Sequence, residues 1–173
     1  MHNKYMTRAK KTSIIIGSSK THTKILMNWS PHVTVAAIIE DNGKFLMVEE
    51  DIRGEIIFNQ PAGHLDDAES LIEAVIREAR EETAWHIQAD YLCNVQLWRN
   101  PDNQESFLRF SFICTPLQHF PNEKLDKGIL RAVWLSRDEI SQRVLRSPLV
   151  LDSIDRYLSG ERHPLEAVRH ILS

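Results

Sequence analysis

The sequence predicts a mixed α/β fold, a β-sheet with helices packed on both faces. Short runs rich in β-branched residues stand on both sides of one acidic helix. The last third of the chain carries further capped helical segments. With 173 residues, 42% of them hydrophobic and 26% charged, the chain suits a single domain with a full core. Strands around one central helix, followed by helices, make a mixed sheet sandwiched between helices.

Residues 1–27 have no apolar period. They hold six of the 21 basic residues and none of the 24 acidic ones. They are read as a basic, disordered extension ahead of a domain over residues 28–173, with Met27 as the candidate true first residue. The apolar run Ile14–Ile16 is too short for a signal-peptide core. Without this segment the chain is acidic, which argues against nucleic acid as a partner. Cys93 and Cys114 fall in predicted strands and read as buried, reduced thiols of a cytoplasmic protein. No stretch has the length of apolar residues that a membrane span needs.

Order is expected from Pro31. His32–Ile39 and Gly43–Val48 read as strands joined at Asp41-Asn42-Gly43, a type I′ hairpin signal. Glu55–Gln60 is a further strand, and Pro61-Ala62-Gly63 breaks the chain into a loop. Asp66 stands as N-cap of the next helix, with Glu69 in capping-box position. Ala68, Ile72, Val75 and Ala79 share one helix face, with Leu71 at its edge. Arg77 follows Glu73 at the spacing of an i,i+4 ion pair. Ile87–Trp98 and Phe107–Thr115 read as strands around a turn at Asn100-Pro101-Asp102-Asn103. In the second, Phe107, Arg109 and Ser111 share one face and Leu108, Phe110 and Phe112 the other. Ile129–Leu135 is the next strand. Ser136 caps a helix, with Glu139 in capping-box position. Another helix starts at Ser147-Pro148 and runs to Leu158, with Gly160 as the stop. A last short helix is expected over about Leu165–Leu172.

The central helix carries the chemistry. Glu78 and Glu82 lie beside Leu71 and Val75, at the rim of the apolar stripe, with Glu81 one step further round. Like charges at i,i+3 and i,i+4 cost roughly 0.2–0.5 kcal/mol per pair. Partial burial raises that cost. A hard divalent cation with oxygen ligands is the most economical way to neutralise them.

Gly63, Glu69, Arg77-Glu78, Ala79, Glu81-Glu82 and Trp85 stand at the spacing of the Nudix box, and the chain resembles Nudix hydrolases on those residues. One departure is Ala84, where the family has glycine. Alanine there costs roughly 1 kcal/mol in a left-handed conformation, or else the helix exits differently. The runs PHVTVA, NQPAGHL, FLRF, LRSPLV and SGERHPLE extend the similarity to a bacterial subgroup from Pro31 onward.

The resemblance implies an α/β/α sandwich with a mixed sheet and a loop-helix-loop catalytic motif. It implies Mg²⁺-dependent hydrolysis of diphosphate compounds, with Mn²⁺ as the alternative ion. In the subgroup the substrates are nucleoside tri- and diphosphates and the diphosphate of the thiamine pyrimidine precursor, with phosphate released. Internal cleavage to a nucleoside monophosphate and pyrophosphate, or non-hydrolytic nucleotide sensing, are the alternatives. By resemblance Glu78 and Glu82 hold the metal, Glu78 is the first candidate base, Glu81 supports, and the Gly63 carbonyl is a backbone ligand. Glu69 and Arg77 brace loop against helix, or else serve only as cap and surface pair. Gly128 stands where many relatives place an outer acid, which leaves Asp126 or Glu123 as substitutes or as solvated loop acids.

The candidate substrate contacts are Arg109, Glu50, His64 and Gln60. Arg109 is read as either a phosphate ligand or half of a structural ion pair. Glu50 is a candidate acceptor for a base or pyrimidine amine, and Gln60 and His64 flank the Pro-Ala-Gly loop. Trp98, Phe58 and Phe107 either stack on a base or pack in the core. The expected partner is a small nucleotide or organic diphosphate, not a membrane, for a monomer or homodimer.

Overall fold

The computed structural model describes residues 29–171, so the expectations for residues 1–27 and for Met27 as the start lie outside it. β1 (His32–Asp41) and β2 (Lys44–Ile52) form a hairpin, β3 (Glu55–Asn59) follows, and β4 (Ala62–His64) leads toward α1 (Leu71–Thr83). Then come β5 (Trp85–Arg99), β6 (Ser106–His119), β7 (Ile129–Ser136), α2 (Arg137–Ser141), α3 (Leu149–Leu158) and a single 3₁₀ turn at Leu165–Val168. No helix among the described residues is long and apolar enough to cross a membrane.

The sheet is mixed, in the order β3-β2-β1-β6-β5, with β4 paired to β1 and β7 to β2. β1 and β6 run parallel, from His32 opposite Phe107 to Ile39 opposite Cys114. All other strand pairings are antiparallel. Alternation along β1 sends Val35, Ala37 and Ile39 to one face, where they meet Ala74, Val75 and Ala79 of α1. Ile38 points to the other face, into a cluster with Ile140 of α2 and Val150 and Ile154 of α3. Each fully buried side chain of that size contributes about 1.5–3 kcal/mol. Two apolar layers on opposite faces of one sheet make the expected α/β/α sandwich. The predicted alternation in β6 also holds, with Phe112 facing α1 and Ile113 facing α3.

Asn42 and Gly43 both have positive φ, 52° and 77°, as the type I′ turn requires. Cys93 and Cys114 are free and buried. Ser136 and Glu139 form the predicted capping box. α3 begins one residue later than expected, at Leu149, and Gly160 ends its last turn at φ 87°.

Four expectations need correction. First, α1 begins at Leu71. Its N-cap is Ser70, which accepts from the Glu73 N–H while the Glu73 carboxylate accepts from the Ser70 N–H. Glu69 still accepts from the Asp66 N–H at 2.7 Å, but Ala68 at φ 64° lies between and cannot be helical, so Ala68 is not on the helix face. Second, Glu73 is engaged at the cap and Arg77 turns elsewhere, so the i,i+4 pair does not form. Third, the Pro-Ala-Gly segment is not simply a loop, because Ala62–His64 add a short strand beside β1. Fourth, the last element is one 3₁₀ turn. The chain before it is tied to β5 by the paired backbones of Leu92 and His163.

Ala84 takes the left-handed conformation a glycine would take, at φ 58°, and its N–H bonds to the Arg80 carbonyl at 2.8 Å. The helix therefore exits through a left-handed residue, with a buried methyl in a strained conformation.

Replacing Ser70 with alanine is expected to lower stability by about 1 kcal/mol. Asp66→Ala is expected to stay within about 0.5 kcal/mol. Urea unfolding of the two variants checks this, and a larger loss in Asp66→Ala would return the cap to Asp66.

Candidate active site

α1 lays its acidic flank against β4. Glu78 is buried, and Gly63 is the residue it packs on. A methyl group at Gly63 would overlap the Glu78 carboxylate and force it out of this position. One turn later, Glu82 Oε2 accepts the Ala62 N–H at 2.8 Å. Glu81 lies further out, its side chain 42% exposed.

Arg77 ties these groups to the preceding loop. Its Nε and Nη2 meet the two Glu69 oxygens at 3.0 and 2.7 Å, a bidentate pair. Nη2 also donates to the His64 carbonyl at 3.0 Å. Nη1 donates to Glu78 Oε1 at 2.8 Å and to Glu81 Oε2 at 2.9 Å. Glu69 is held below the usual carboxylate range by this pairing with Arg77.

Burial pushes Glu82 up to about 8, and the nearby charges of Glu78, Glu50 and Asp126 push in the same direction. Burial also raises Glu78, with Arg77 opposing it. Arg109 is buried and lowered to about 10 by loss of solvent, although the Glu82 charge works against that shift.

A cleft of ≈ 680 Å³ opens beside these groups, a size that suits a nucleotide-sized ligand. Gly63, His64, Glu82, Arg109, Glu50 and Trp98 are among its walls. Phe107 is there too, stacked on Trp98 with ring centroids 5.8 Å apart. Glu50 sits at a bulge in the pairing of β2 with β7, and Arg146 Nη1 lies 3.5 Å from its carboxylate. Gln60 is placed differently from the expectation. It is buried, and its Oε1 accepts from Arg109 Nη2 at 2.5 Å, so it holds Arg109 and does not form the cleft wall. Arg109 is thus bonded to a neutral amide, and its Nε has no partner. Phe58 packs away from the cleft, with the Arg143 guanidinium 5.3 Å over its ring.

The two loop acids separate. Glu123 is paired with Arg80 through both oxygens, at 3.0 and 2.7 Å. The Asp126 N–H donates to the Glu81 carbonyl at 2.9 Å, and its carboxylate is close enough to raise both Glu78 and Glu82. Gly128, at φ 100°, gives its carbonyl to the Asp51 N–H.

Among the described residues no three His, Cys, Asp or Glu side chains converge as a ready ligand set. Arg77 Nη1 spans Glu78 and Glu81, and a cation shared by those two must compete with it. The donors themselves fit a hard cation: they are all oxygens, Gly63 leaves the cradle open, and Glu82 is a half-buried carboxylate hydrogen-bonded to one N–H. Sequence reasoning missed Asn59 and Arg146, both in the cleft wall: the runs NQPAGHL and LRSPLV contain them, but nothing in either run marks these side chains as reaching the cleft.

A family model described as NUDIX domain matches residues 30–155. The proteins called Phosphatase NudJ of Escherichia coli and Shigella flexneri are 45% identical over 141 residues, which cover 81% of this chain and 92% of theirs. Among solved structures, a NUDIX hydrolase from Nitrosomonas europaea superposes with a TM-score of 0.80 at 43% identity, covering 82% of this chain and 98% of that one. A MutT NUDIX hydrolase from Burkholderia pseudomallei, 19% identical, shares the fold at a TM-score of 0.60 over 74% of this chain and 98% of its own.

Glu82 has a folded value raised above its unfolded one, so folding favours its neutral form. The stability this gives is present at low pH and is lost as pH rises through about 8. In chelator-treated protein the melting temperature should therefore fall by at least about 3 °C between pH 6 and pH 8.5. Glu82→Gln should fall clearly less. Equal slopes in scanning calorimetry would mean that Glu82 is ionised throughout.

Proposed function

The chain belongs to the Nudix family and hydrolyses phosphoanhydride bonds, and on that premise we propose a Mg²⁺-dependent phosphatase of nucleoside tri- and diphosphates and small organic diphosphates. The observation that carries the reading is the pair of carboxylates, buried Glu78 and half-buried Glu82, set against Gly63 and Ala62 beside a cleft that also presents Arg109. The 45% identity to proteins called Phosphatase NudJ favours phosphate as the product over internal cleavage to a monophosphate and pyrophosphate. The diphosphate of the thiamine pyrimidine precursor is among the small substrates we propose. A cytoplasmic location accords with the two free thiols, Cys93 and Cys114.

Glu78 and Glu82, with Glu81 and the Gly63 carbonyl, would hold the ion, and Asp126 is the candidate for the outer acid. When bound, Mg²⁺ or Mn²⁺ neutralises phosphate oxygens and makes the phosphorus more electrophilic. Glu78 takes the proton from the attacking water, a role that suits a carboxylate whose affinity for protons burial has raised. Arg109 remains protonated at neutral pH and offers its partnerless Nε to a phosphate oxygen. Gln60 keeps the guanidinium aimed. Glu69 and Arg77 hold the loop carrying Gly63 and His64 against α1, so the carboxylates and the cleft keep their spacing.

Purified protein with Mg²⁺ and a panel of nucleotides and organic diphosphates should release inorganic phosphate. Pyrophosphate as the main product from triphosphates would replace this reading with internal cleavage. Glu78→Gln should lose about 10²-fold or more in kcat while melting as the parent does. Full activity in that variant would remove Glu78 from the chemistry.

A further inference from the structure

Asn59, the last residue of β3, lines the cleft and is 8% exposed, yet its side-chain Oδ1 has no hydrogen-bond partner. Buried polar atoms are nearly always paired, so an orphaned acceptor on a residue of the cleft wall points to a donor on the ligand. The orientation of the amide is set by its neighbour. In the β2–β3 register Val48 stands opposite Asn59 and Glu50 opposite Ile57, which puts Glu50 on the diagonal from Asn59 on the same sheet face. Burial raises the proton affinity of Glu50, but from that diagonal position the Asn59 amide lowers it, which turns the NH₂ toward the carboxylate and leaves Oδ1 as the end without a partner. Arg146 Nη1 lies 3.5 Å from the same carboxylate, so Glu50 is engaged by protein groups on two sides. Trp98 and Phe107 present stacked rings to the same cleft, a flat surface for a heterocycle.

We propose that Asn59 Oδ1 is a specificity-determining acceptor that selects substrates whose ring carries an amino donor over those with a carbonyl in its place. Glu50 is the positioning residue that keeps the amide in this orientation. The proposal rests on the reading of this cleft as the substrate site. A cytosine-type edge gives Oδ1 the N–H it lacks. A uracil-type edge sets oxygen against oxygen and leaves two acceptors unpaired, and a site built to bond a donor rejects the analogue without it. Glu50, expected from the sequence to contact the substrate directly, acts through Asn59.

CMP and UMP differ at this edge, and calorimetric titration of each into the full chain reads the preference without turnover. CMP should bind at least about tenfold tighter, and kcat/KM for CTP should exceed that for UTP by a similar factor, which corresponds to about 1.4 kcal/mol. Asn59→Leu should bring both ratios to within about twofold by weakening the amino substrate. Glu50→Ala should raise KM for CTP with little change in kcat, and Glu50→Gln should restore it. Equal binding of CMP and UMP by the parent protein overturns the proposal even if no variant folds. An unchanged ratio in folded Asn59→Leu overturns it as well. Should neither triphosphate be hydrolysed, the hydrolase reading fails separately while the binding ratio still decides the role of Asn59.

Discussion

Two carboxylates pressed against the backbone of one short strand organise this molecule. Glu78 fits because Gly63 has no side chain, and Glu82 is fixed by the Ala62 N–H. That strand, β4, adds to β1, where His64 stands opposite Thr34. Thr34 in turn stands opposite Arg109 on β6. A single line of register thus sets the acidic flank of α1, the histidine loop and the buried guanidinium in relation to one another. A slip of one residue would turn Arg109 to the opposite face of the sheet.

The charge balance follows from that packing. Glu78, Glu81 and Glu82 stand within one turn, with Asp126 and Glu50 adding to the field at Glu82. Arg77 offsets Glu78 and Glu81 but makes no contact with Glu82, whose proton affinity is raised first by loss of solvent and then by these neighbouring charges. Ground-state strain of this kind marks sites that a ligand completes. The same device recurs across the cleft, where Arg109 Nε and Asn59 Oδ1 are a donor and an acceptor left without partners. Residues of the cleft wall therefore carry buried unpaired groups of both polarities, as a site for a molecule with an anionic end and a polar ring requires.

Much of this was legible in the chain because it depended on local period. Strand alternation in β1 and β6, the Asn42-Gly43 turn and the spacing of the carboxylates are all decided within a few residues. The start of α1 was not legible, because Asp66 with Glu69 and Ser70 with Glu73 present the same capping pattern. The positive φ of Ala68 decides between them. Gln60 read as the end of an apolar run flanking the Pro-Ala-Gly loop, a candidate substrate contact, and only its pairing with Arg109, 49 positions away, shows the role it takes when buried. The separation of Asp126 from Glu123 depends on Arg80, which engages Glu123 from the outer side of α1. Asn59 opens the run NQPAGHL, but an asparagine at a strand end reads as a turn former and not as a ligand contact.

The account stands on Glu82 being largely protonated until a cation takes its place. Titrating Mg²⁺ into chelated protein near pH 7.2, in buffers of different ionisation enthalpy, counts the protons released on binding. Binding should release a large fraction of one proton, and Glu82→Gln should abolish that release. Mg²⁺ binding with no proton released, or release that persists in Glu82→Gln, would contradict the account.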